Sequence, residues 1–199
     1  KTRGKSRHDD YNHHDNDHDY EDDDEDRSTL QWASGSSSNR TRTASVVEIN
    51  KIKFGRSGIS KFCEYPKFSE IAEGCFVKVA IGRNKQTGEP ETRLGKIEKI
   101  VGGKAYKLEN RTVALYAKVS IGNASKIFPM SNFSNSKVDE YGYNDYLRTL
   151  NKLKLSLPTN KEVEKKYNEL VAFTRQELTL DQKNDIIERR NKWTTGEVG

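Results

Sequence analysis

The chain has 199 residues, of which 33% are charged and 32% hydrophobic, and its formal net charge is +5. No apolar run approaches the length of a membrane span, and the first residues lack the apolar core of a secretory signal peptide. Two cysteines, Cys63 and Cys75, are too few for a disulfide framework, so we expect both to be small core residues in a reducing compartment.

The charge is distributed unevenly along the chain. Residues 1–7 carry +4 and residues 8–26 carry −11, which leaves +12 on residues 27–199. A folded part this basic is expected to attract a polyanion such as nucleic acid, a phosphopeptide or an acidic tail. The alternative is that the charge serves only solubility.

Residues 1–44 have the composition of a disordered linker. The stretch HDDYNHHDNDHDYEDDDED (8–26) is of low complexity and nearly free of aliphatic side chains. It also contains all histidines of the chain, His8, His13, His14 and His18. Because their spacing fits no closed structural zinc site, we predict a solvated acidic linker, followed by the Ser/Thr/Arg-rich linker SGSSSNRTRTAS (34–45).

Short helices are predicted at the start of the folded part, over residues 45–73. Ser45 and Glu48 have the spacing of a capping box and open the first helix. A second short helix is expected over residues 58–65, before Pro66, and a third over the residues that precede Gly74.

A strand-rich block follows over residues 75–131. Its period-two alternation predicts five or six short strands, at 75–82, 91–101, 104–110, 112–122 and 125–131. Gly102-Gly103 is typical of a tight hairpin between two of them. Short strands joined by hairpins favour a small β-barrel.

The last third of the chain, residues 138–193, is predicted to be helical. Tyr146 and Leu150 belong to a helical apolar pattern over residues 138–155. Capping boxes predict two further helices, one opening at Thr159 and ending near Arg175, the other opening at Thr179 and running through Trp193. The predicted fold is therefore α+β, one domain over 45–193 between the disordered acidic segment 1–44 and a tail at 194–199.

The folded part offers no recognisable catalytic constellation. It contains no histidine, no Cys-x-x-Cys pair, no Walker-type or GxGxxG loop and no nucleophile elbow. Neither cysteine has a histidine to activate it. We therefore expect no enzyme activity, no metal site and no cofactor.

The positive signal is a set of basic residues on and beside the predicted barrel. Two of them meeting in a groove would suit a phosphothreonine or phosphoserine, whereas each alone is more often a solvated surface charge. Strand aromatics beside the cations would instead suit single-stranded nucleic acid. The basic residues in question are Arg56, Lys78, Arg83, Arg93 and Lys96.

Several ordered motifs together resemble the Plus-three domain of the RNA polymerase II transcription elongation factor that works with the PAF complex. The motifs are FGRSGISKFCEYPKF (54–68), GCFVKVAIG (74–82), TRLGKIEKI (92–100), KIFPMSNFSNS (126–136) and LPTNKEV (157–163). The resemblance implies a nuclear protein with a Tudor-like barrel flanked by helices. It also implies binding to the phosphorylated C-terminal repeats of the large DSIF subunit, and to single-stranded DNA. That family's histone-modification segment has no convincing copy in residues 1–44.

The same resemblance implies which residues hold the phosphopeptide. Arg56 and Lys78 match the two basic positions of the phosphothreonine site, although the family often has Arg where Lys78 stands. An aromatic residue of the family contacts the peptide at a position that falls on Asn132, with Phe133 beside it. Arg93 matches a basic strand residue. Arg83 and Lys96 are predicted, from charge alone, as nucleic-acid contacts.

Overall fold

The computed structural model describes residues 40–196. The predictions for the acidic linker, its histidines and most of the Ser-rich stretch fall on residues 1–39, outside the described residues, as does the end of the tail at 197–199. Three short helices come first: α1 (Val46–Lys51), α2 (Arg56–Phe62) and α3 (Phe68–Ala72). A first, two-residue strand, β1 (Lys53–Phe54), lies between α1 and α2. Four longer strands follow α3: β2 (Phe76–Arg83), β3 (Pro90–Leu108), β4 (Arg111–Ile121) and β5 (Ala124–Pro129). A 3-10 turn (Met130–Asn132) leads to three longer helices: α4 (Glu140–Lys152), α5 (Asn160–Arg175) and α6 (Leu180–Thr195).

The helix starts follow local chemistry. At Ser45, Thr159 and Thr179, the cap side chain accepts from the backbone N–H three residues on, and that residue's side chain bonds back. All three predicted capping boxes are confirmed. The second predicted helix begins two residues earlier than expected, since α2 starts at Arg56 with Gly55 as its N-cap.

The five strands form one mixed sheet in the order β1-β2-β3-β4-β5. β1 runs parallel to β2, and every other neighbouring pair is antiparallel. The α+β class is confirmed, but the expected closed barrel is wrong. Residues 75–131 form four strands where five or six were predicted, and the fifth strand of the sheet is β1. After β5 the chain rejoins β2 only through an isolated bridge between Phe133 and Val79 and a 2.8 Å hydrogen bond from the Ser134 N–H to the Lys78 carbonyl. β5 ends at Pro129, which has no N–H to continue a ladder, and the 3-10 turn then redirects the chain.

The predicted hairpin at Gly102-Gly103 is also wrong. β3 runs through both glycines, with a register shift between Gly102 and Tyr106, and the chain reverses later at Glu109, whose φ is 51°. A Cβ on Gly103 would come within 2.5 Å of the Tyr116 ring on β4. The glycine therefore makes room for a neighbouring aromatic side chain and does not turn the chain.

One hydrophobic core joins the sheet to the helices. Phe76 of β2, only 1% exposed, meets the ring of Tyr146 on α4 edge-on at 6.0 Å. Both cysteines are buried free thiols, as predicted, and burial raises the pKa of each to about 12. On α5, Val163 and Leu170 are buried as expected for a packed face.

A buried carboxylate fastens the last helix to the rest. Glu64, fully buried after α2, accepts from Arg111 of β4 at 2.6 Å and from the Nε of Arg190 of α6 at 3.0 Å. Arg189 of α6 donates to the Glu64 carbonyl at 3.1 Å.

Within residues 40–196, no helix has the length and apolarity that crossing a membrane requires.

Candidate anion-binding site

The residues that follow the 3-10 turn connect α2 to β2. We call Ser134–Ser136 the linking segment. Ser134 bonds to the backbone of Lys78, and the Asn135 side chain accepts from the Ser57 N–H at 2.9 Å while donating to the Ser57 hydroxyl at 2.8 Å. The start of α2 and the middle of β2 are thereby held to consecutive residues of one segment.

Lys78 lies against this segment with its side chain only 15% exposed. Its Nζ donates to the Ser136 hydroxyl at 3.2 Å and to the Lys137 carbonyl at 3.3 Å. The Asp139 carboxylate lies 3.9 Å from Nζ, is itself 65% exposed, and already accepts from the Gly142 N–H as the N-cap of α4. The ammonium group is thus shielded from water but held mainly by neutral acceptors.

A second ammonium group reaches the same segment from β1. The Nζ of Lys53 donates to the Ser134 carbonyl at 3.0 Å. Burial, reinforced by the positive charge of Lys78, lowers the pKa of Lys53 to about 8. The neighbouring cation is unfavourable for Lys53, so an anion placed between the two would relieve a repulsion that exists in the free protein.

Sequence reasoning missed Lys53. It lies in a two-residue strand, too short for any period to be read, and the parallel pairing of Lys53 with Phe76 and of Phe54 with Val77 is a tertiary contact. The available signal was a single basic residue between the buried Ile52 and Phe54.

Arg56 is the first residue of α2 and is 42% exposed. Its Nε lies 3.6 Å from a carboxylate oxygen of Glu109, which also accepts from the Ser57 hydroxyl at 2.7 Å. The structure brings Arg56 to the linking segment through its neighbour Ser57, whereas Lys53 and Lys78 contact the segment themselves.

Of the other residues inferred from the resemblance, Arg93 and Asn132 line clefts, and Arg93 is shared by two of them. One, of about 620 Å³, runs from Lys78 to Arg93 and Tyr141 and is also lined by the carboxylates of Glu89, Glu91, Asp139 and Asp145. The other, of about 500 Å³, lies between β2 and β5 and is lined by Ala80, Ile81, Arg93, Ile121, Asn123, Ala124, Lys126, Phe128 and Asn132. The side chains that line this second cleft include two cations and no carboxylate.

Phe133 and Asn132 are placed differently. The Phe133 side chain is 1% exposed and belongs to the core, whereas Asn132 lines the second cleft. The aromatic ring in that cleft is Phe128 of β5. Phe128 lies in the predicted strand 125–131 and is indicated by its alternation, whereas the resemblance indicates the position after the strand.

Arg83 and Lys96 are exposed and far apart in the β2–β3 ladder. Arg83 pairs with Pro90 at one end, and Lys96 pairs with Phe76 at the other. The structure does not bring them together.

Among residues 40–196 no group of His, Cys, Asp and Glu is arranged to hold a metal ion.

A mixed five-stranded sheet, flanked by helices and carrying two partly buried ammonium groups beside one segment, defines a small α+β module with a candidate site for an anion. The family model described as "Plus-3 domain" matches residues 48–151. The chain belongs to the Plus-3 domain family, as the sequence motifs indicated. The match covers most of α1 through nearly all of α4, so α5 and α6 lie beyond it.

Curated relatives agree with this assignment. The chain is 24% identical over 156 residues to "RNA polymerase-associated protein C651.09c" of Schizosaccharomyces pombe, 29% over 136 residues to "Protein RTF1 homolog" of Arabidopsis thaliana, and 23% over 152 residues to "RNA polymerase-associated protein RTF1 homolog" of Caenorhabditis elegans. These matches cover 78%, 66% and 74% of this chain. They cover 28%, 21% and 24% of the relatives, so the chain spans about a quarter of their length.

Proposed function

We propose that this Plus-3 domain is a phosphopeptide-binding module whose phosphate site is formed by Lys78, Arg56 and Lys53. The observation that carries the proposal is the meeting of two ammonium groups on the linking segment. Among residues 40–196, the ionic partner of this pair is Asp139, at 3.9 Å from Lys78. A phosphate dianion would supply anionic acceptor oxygens, whereas the present hydrogen-bond acceptors of both lysines are neutral.

Arg56 is suited to complete such a site because its neighbour Ser57 is hydrogen-bonded to Asn135 of the linking segment. Its contact with Glu109 is long, at 3.6 Å, and both side chains are partly exposed, so exchanging it costs little. Lys78 stands where the family often has Arg, and it supplies a point charge without the planar fork of a guanidinium. We therefore propose that Arg56 makes the bidentate contact and that the two lysines supply charge.

The partner follows from the relatives and the resemblance. Two relatives are named as RNA polymerase-associated proteins. We propose that the ligand is the phosphorylated C-terminal repeat region of the large DSIF subunit, and that the module couples the PAF complex to elongating RNA polymerase II in the nucleus. In this proposal Arg93 and Asn132, with the ring of Phe128, hold peptide residues beside the phosphate. The domain bounds 45–193, a Tudor-like arrangement of the strands and a role without catalysis belong to the same proposal.

A second candidate function is binding of single-stranded nucleic acid. The cleft between β2 and β5 favours it, because Arg93, Lys126 and Phe128 combine cations with a ring and no lining carboxylate opposes them. Such binding would fall with salt at a log–log slope of about −0.7 per neutralised phosphate, spread over many basic residues. A phosphopeptide site would instead depend on one phosphate and few cations.

Fluorescence anisotropy with the whole chain distinguishes the two. The probes are a Thr-phosphorylated DSIF repeat peptide, its unphosphorylated twin and a single-stranded oligonucleotide. Arg56→Ala and Lys78→Met should each weaken binding of the phosphorylated peptide about tenfold or more, since a charge-assisted hydrogen bond contributes about 1.5–3 kcal/mol. Lys99→Met makes the same change at an exposed position of β3 and should leave peptide binding unchanged.

Two results would count against the proposal. One is equal binding of the phosphorylated and unphosphorylated peptides. The other is undiminished phosphopeptide binding by both Arg56→Ala and Lys78→Met. Oligonucleotide binding that Lys99→Met weakens as much as Lys78→Met does would favour the second function.

A further inference from the structure

We propose that Ser136 is a phosphorylation site whose phosphate occupies the Lys78 site from within the chain and closes it to ligands. The Ser136 hydroxyl accepts a hydrogen bond from the Lys78 Nζ at 3.2 Å and lies 2.8 Å from the Ser134 hydroxyl. A phosphate on this oxygen is therefore placed against the cation that the proposed peptide phosphate needs. The inference rests on the proposed function, because both assign a phosphate to the Lys78 site. Its first test requires no peptide.

The position of Ser136 suits a protein kinase. Its side chain is exposed, and residues 134–139 have no regular secondary structure. Asp139 and Glu140, both exposed, stand three and four residues after it. Acidic residues downstream of a serine form a charge pattern that a kinase with a basic substrate groove can select.

Neighbouring hydroxyls are less suited to the same chemistry. Ser125 lies 2.6 Å from the Glu98 carboxylate, and Ser57 lies 2.7 Å from Glu109, so a phosphate on either would face a negative charge. Ser134 is half-buried, and its N–H is bonded to β2. Ser136 combines an exposed hydroxyl with a shielded cation in contact with it.

The chemical step is a phosphoryl transfer by a separate protein kinase with a nucleoside triphosphate. The Ser136 oxygen forms a bond to the γ-phosphorus, and the bond from that phosphorus to the bridging oxygen of the nucleoside diphosphate breaks. The hydroxyl proton passes to the base of the kinase, and the nucleoside diphosphate leaves. The product is a monoester with about −1.5 to −2 charges at neutral pH.

Local electrostatics favour the modified state. The Lys78 Nζ of β2 contacts the Ser136 hydroxyl, and the Lys53 Nζ of β1 contacts the Ser134 carbonyl two residues earlier. Lys137 is adjacent in the chain, and Asp139 of the α4 cap is an opposing charge. An attached phosphate has an effective concentration in the millimolar range or above, because a short covalent tether replaces a second molecule. It competes with a peptide phosphate to the extent that its effective concentration exceeds its own dissociation constant for the site.

The first test places phosphoserine at position 136 of the whole chain by genetic-code expansion and follows its phosphorus resonance against pH. We expect the second pKa of the phosphate to lie clearly below the value of about 6 of a solvated phosphoserine, and to return towards it with Lys78→Met. Phosphoserine at Ser156, an exposed position between α4 and α5, is the control. Equal pKa values at the two positions, or no response to Lys78→Met, would overturn the proposal.

Two further experiments test separately whether Ser136 accepts a phosphate and whether that phosphate blocks peptide binding. In the first, the whole chain is incubated with ATP and a serine/threonine kinase that prefers acidic residues after the serine, and modification is followed by mass spectrometry. Ser136 should be phosphorylated, more slowly in Glu140→Gln. No modification of Ser136 would show that it is not a phosphorylation site. The chain with phosphoserine 136 should lose at least tenfold in phosphopeptide affinity, and the chain with phosphoserine 156 should not. If the unmodified chain binds no phosphopeptide, the proposed function fails, while the phosphorus titration still decides whether the site accepts a phosphate from Ser136.

Discussion

Lys53 and Lys78 reach one short segment of chain from the neighbouring parallel strands β1 and β2. The Nζ of Lys53 donates to the carbonyl of Ser134 at 3.0 Å, and the Nζ of Lys78 donates to the hydroxyl of Ser136 at 3.2 Å. The two cations destabilise each other in the free protein, and an anionic ligand would reverse that effect.

This relationship predicts proton uptake on phosphopeptide binding. Since the pKa of Lys53 lies at about 8, the group is about half protonated at pH 8, and a nearby dianion will raise its pKa. Calorimetry at pH 8, in two buffers with different ionisation enthalpies, should show uptake of up to about half a proton per complex. Lys53→Met should abolish the uptake; the same uptake in that variant would show that Lys53 is not at the phosphate.

Glu64 should be essential for stability. Its carboxylate is fully buried between Arg111 and Arg190, so Glu64→Gln leaves two arginines facing a neutral amide. We expect a loss of roughly 3 kcal/mol in the free energy of unfolding, measured by urea denaturation. Glu91→Gln is the control, because the Glu91–Arg93 pair is about half exposed and 3.6 Å long, and it should change stability by less than about 0.5 kcal/mol. A similar loss of unfolding free energy in the two variants would contradict a stabilising role for the buried Glu64 carboxylate.

The ion pair at the first capping box predicts a dependence of stability on acid. The hydrogen bond from Arg42, together with those from Ser45, lowers the pKa of Glu48 to about 2, against burial. A lowered carboxyl pKa contributes stability above the unfolded value near 4.5, and this contribution is lost as the pH falls towards 2. Glu48→Gln should therefore be less stable than wild type at pH 7, with the gap shrinking between pH 5 and pH 2 in urea titrations. A stability difference that does not change with pH would mean that Glu48 acts through packing and not through its charge. Glu73→Gln, at an exposed site, is the control and should be as stable as wild type.

The two central glycines of β3 should respond differently to a methyl group. Gly103→Ala brings a Cβ to 2.5 Å from the Tyr116 ring, whereas at Gly102 nothing lies within 4 Å. Overpacking at Gly103 should cost about 1–3 kcal/mol, and Gly102→Ala should be nearly neutral. Chemical denaturation of both variants makes the comparison. Equal costs at the two sites would instead fit a hairpin that needs both glycines.

Local elements of this fold were predictable because their causes lie within a few residues. The capping boxes at Ser45, Thr159 and Thr179 each involve two side chains three residues apart. The alternation in the middle of β2 follows from burial of Val77 and Val79, while Lys78 and Ala80 are only partly buried. The ordered motifs were enough to indicate the Plus-3 family, which the family model confirms.

The candidate site was predictable only in part. Arg56 and Lys78 could be named from motifs, and their relation to the linking segment is seen in the structure. Phe133 could not be separated from Asn132 by sequence, because the isolated bridge to Val79 turns its side chain into the core. Their role in binding stays a prediction.

By itself, the sequence determined the three capped helix starts, the family and the excess of basic charge, all of which follow from neighbouring residues or from sums over them. The tertiary structure decided that Gly103 accommodates Tyr116, that Glu64 is buried among arginines, and that Lys53 stands beside Lys78. Each of these depends on residues distant in the chain. Their energies come from burial and from charges a few ångströms apart, and those distances exist only once the strands have paired and the helices have packed.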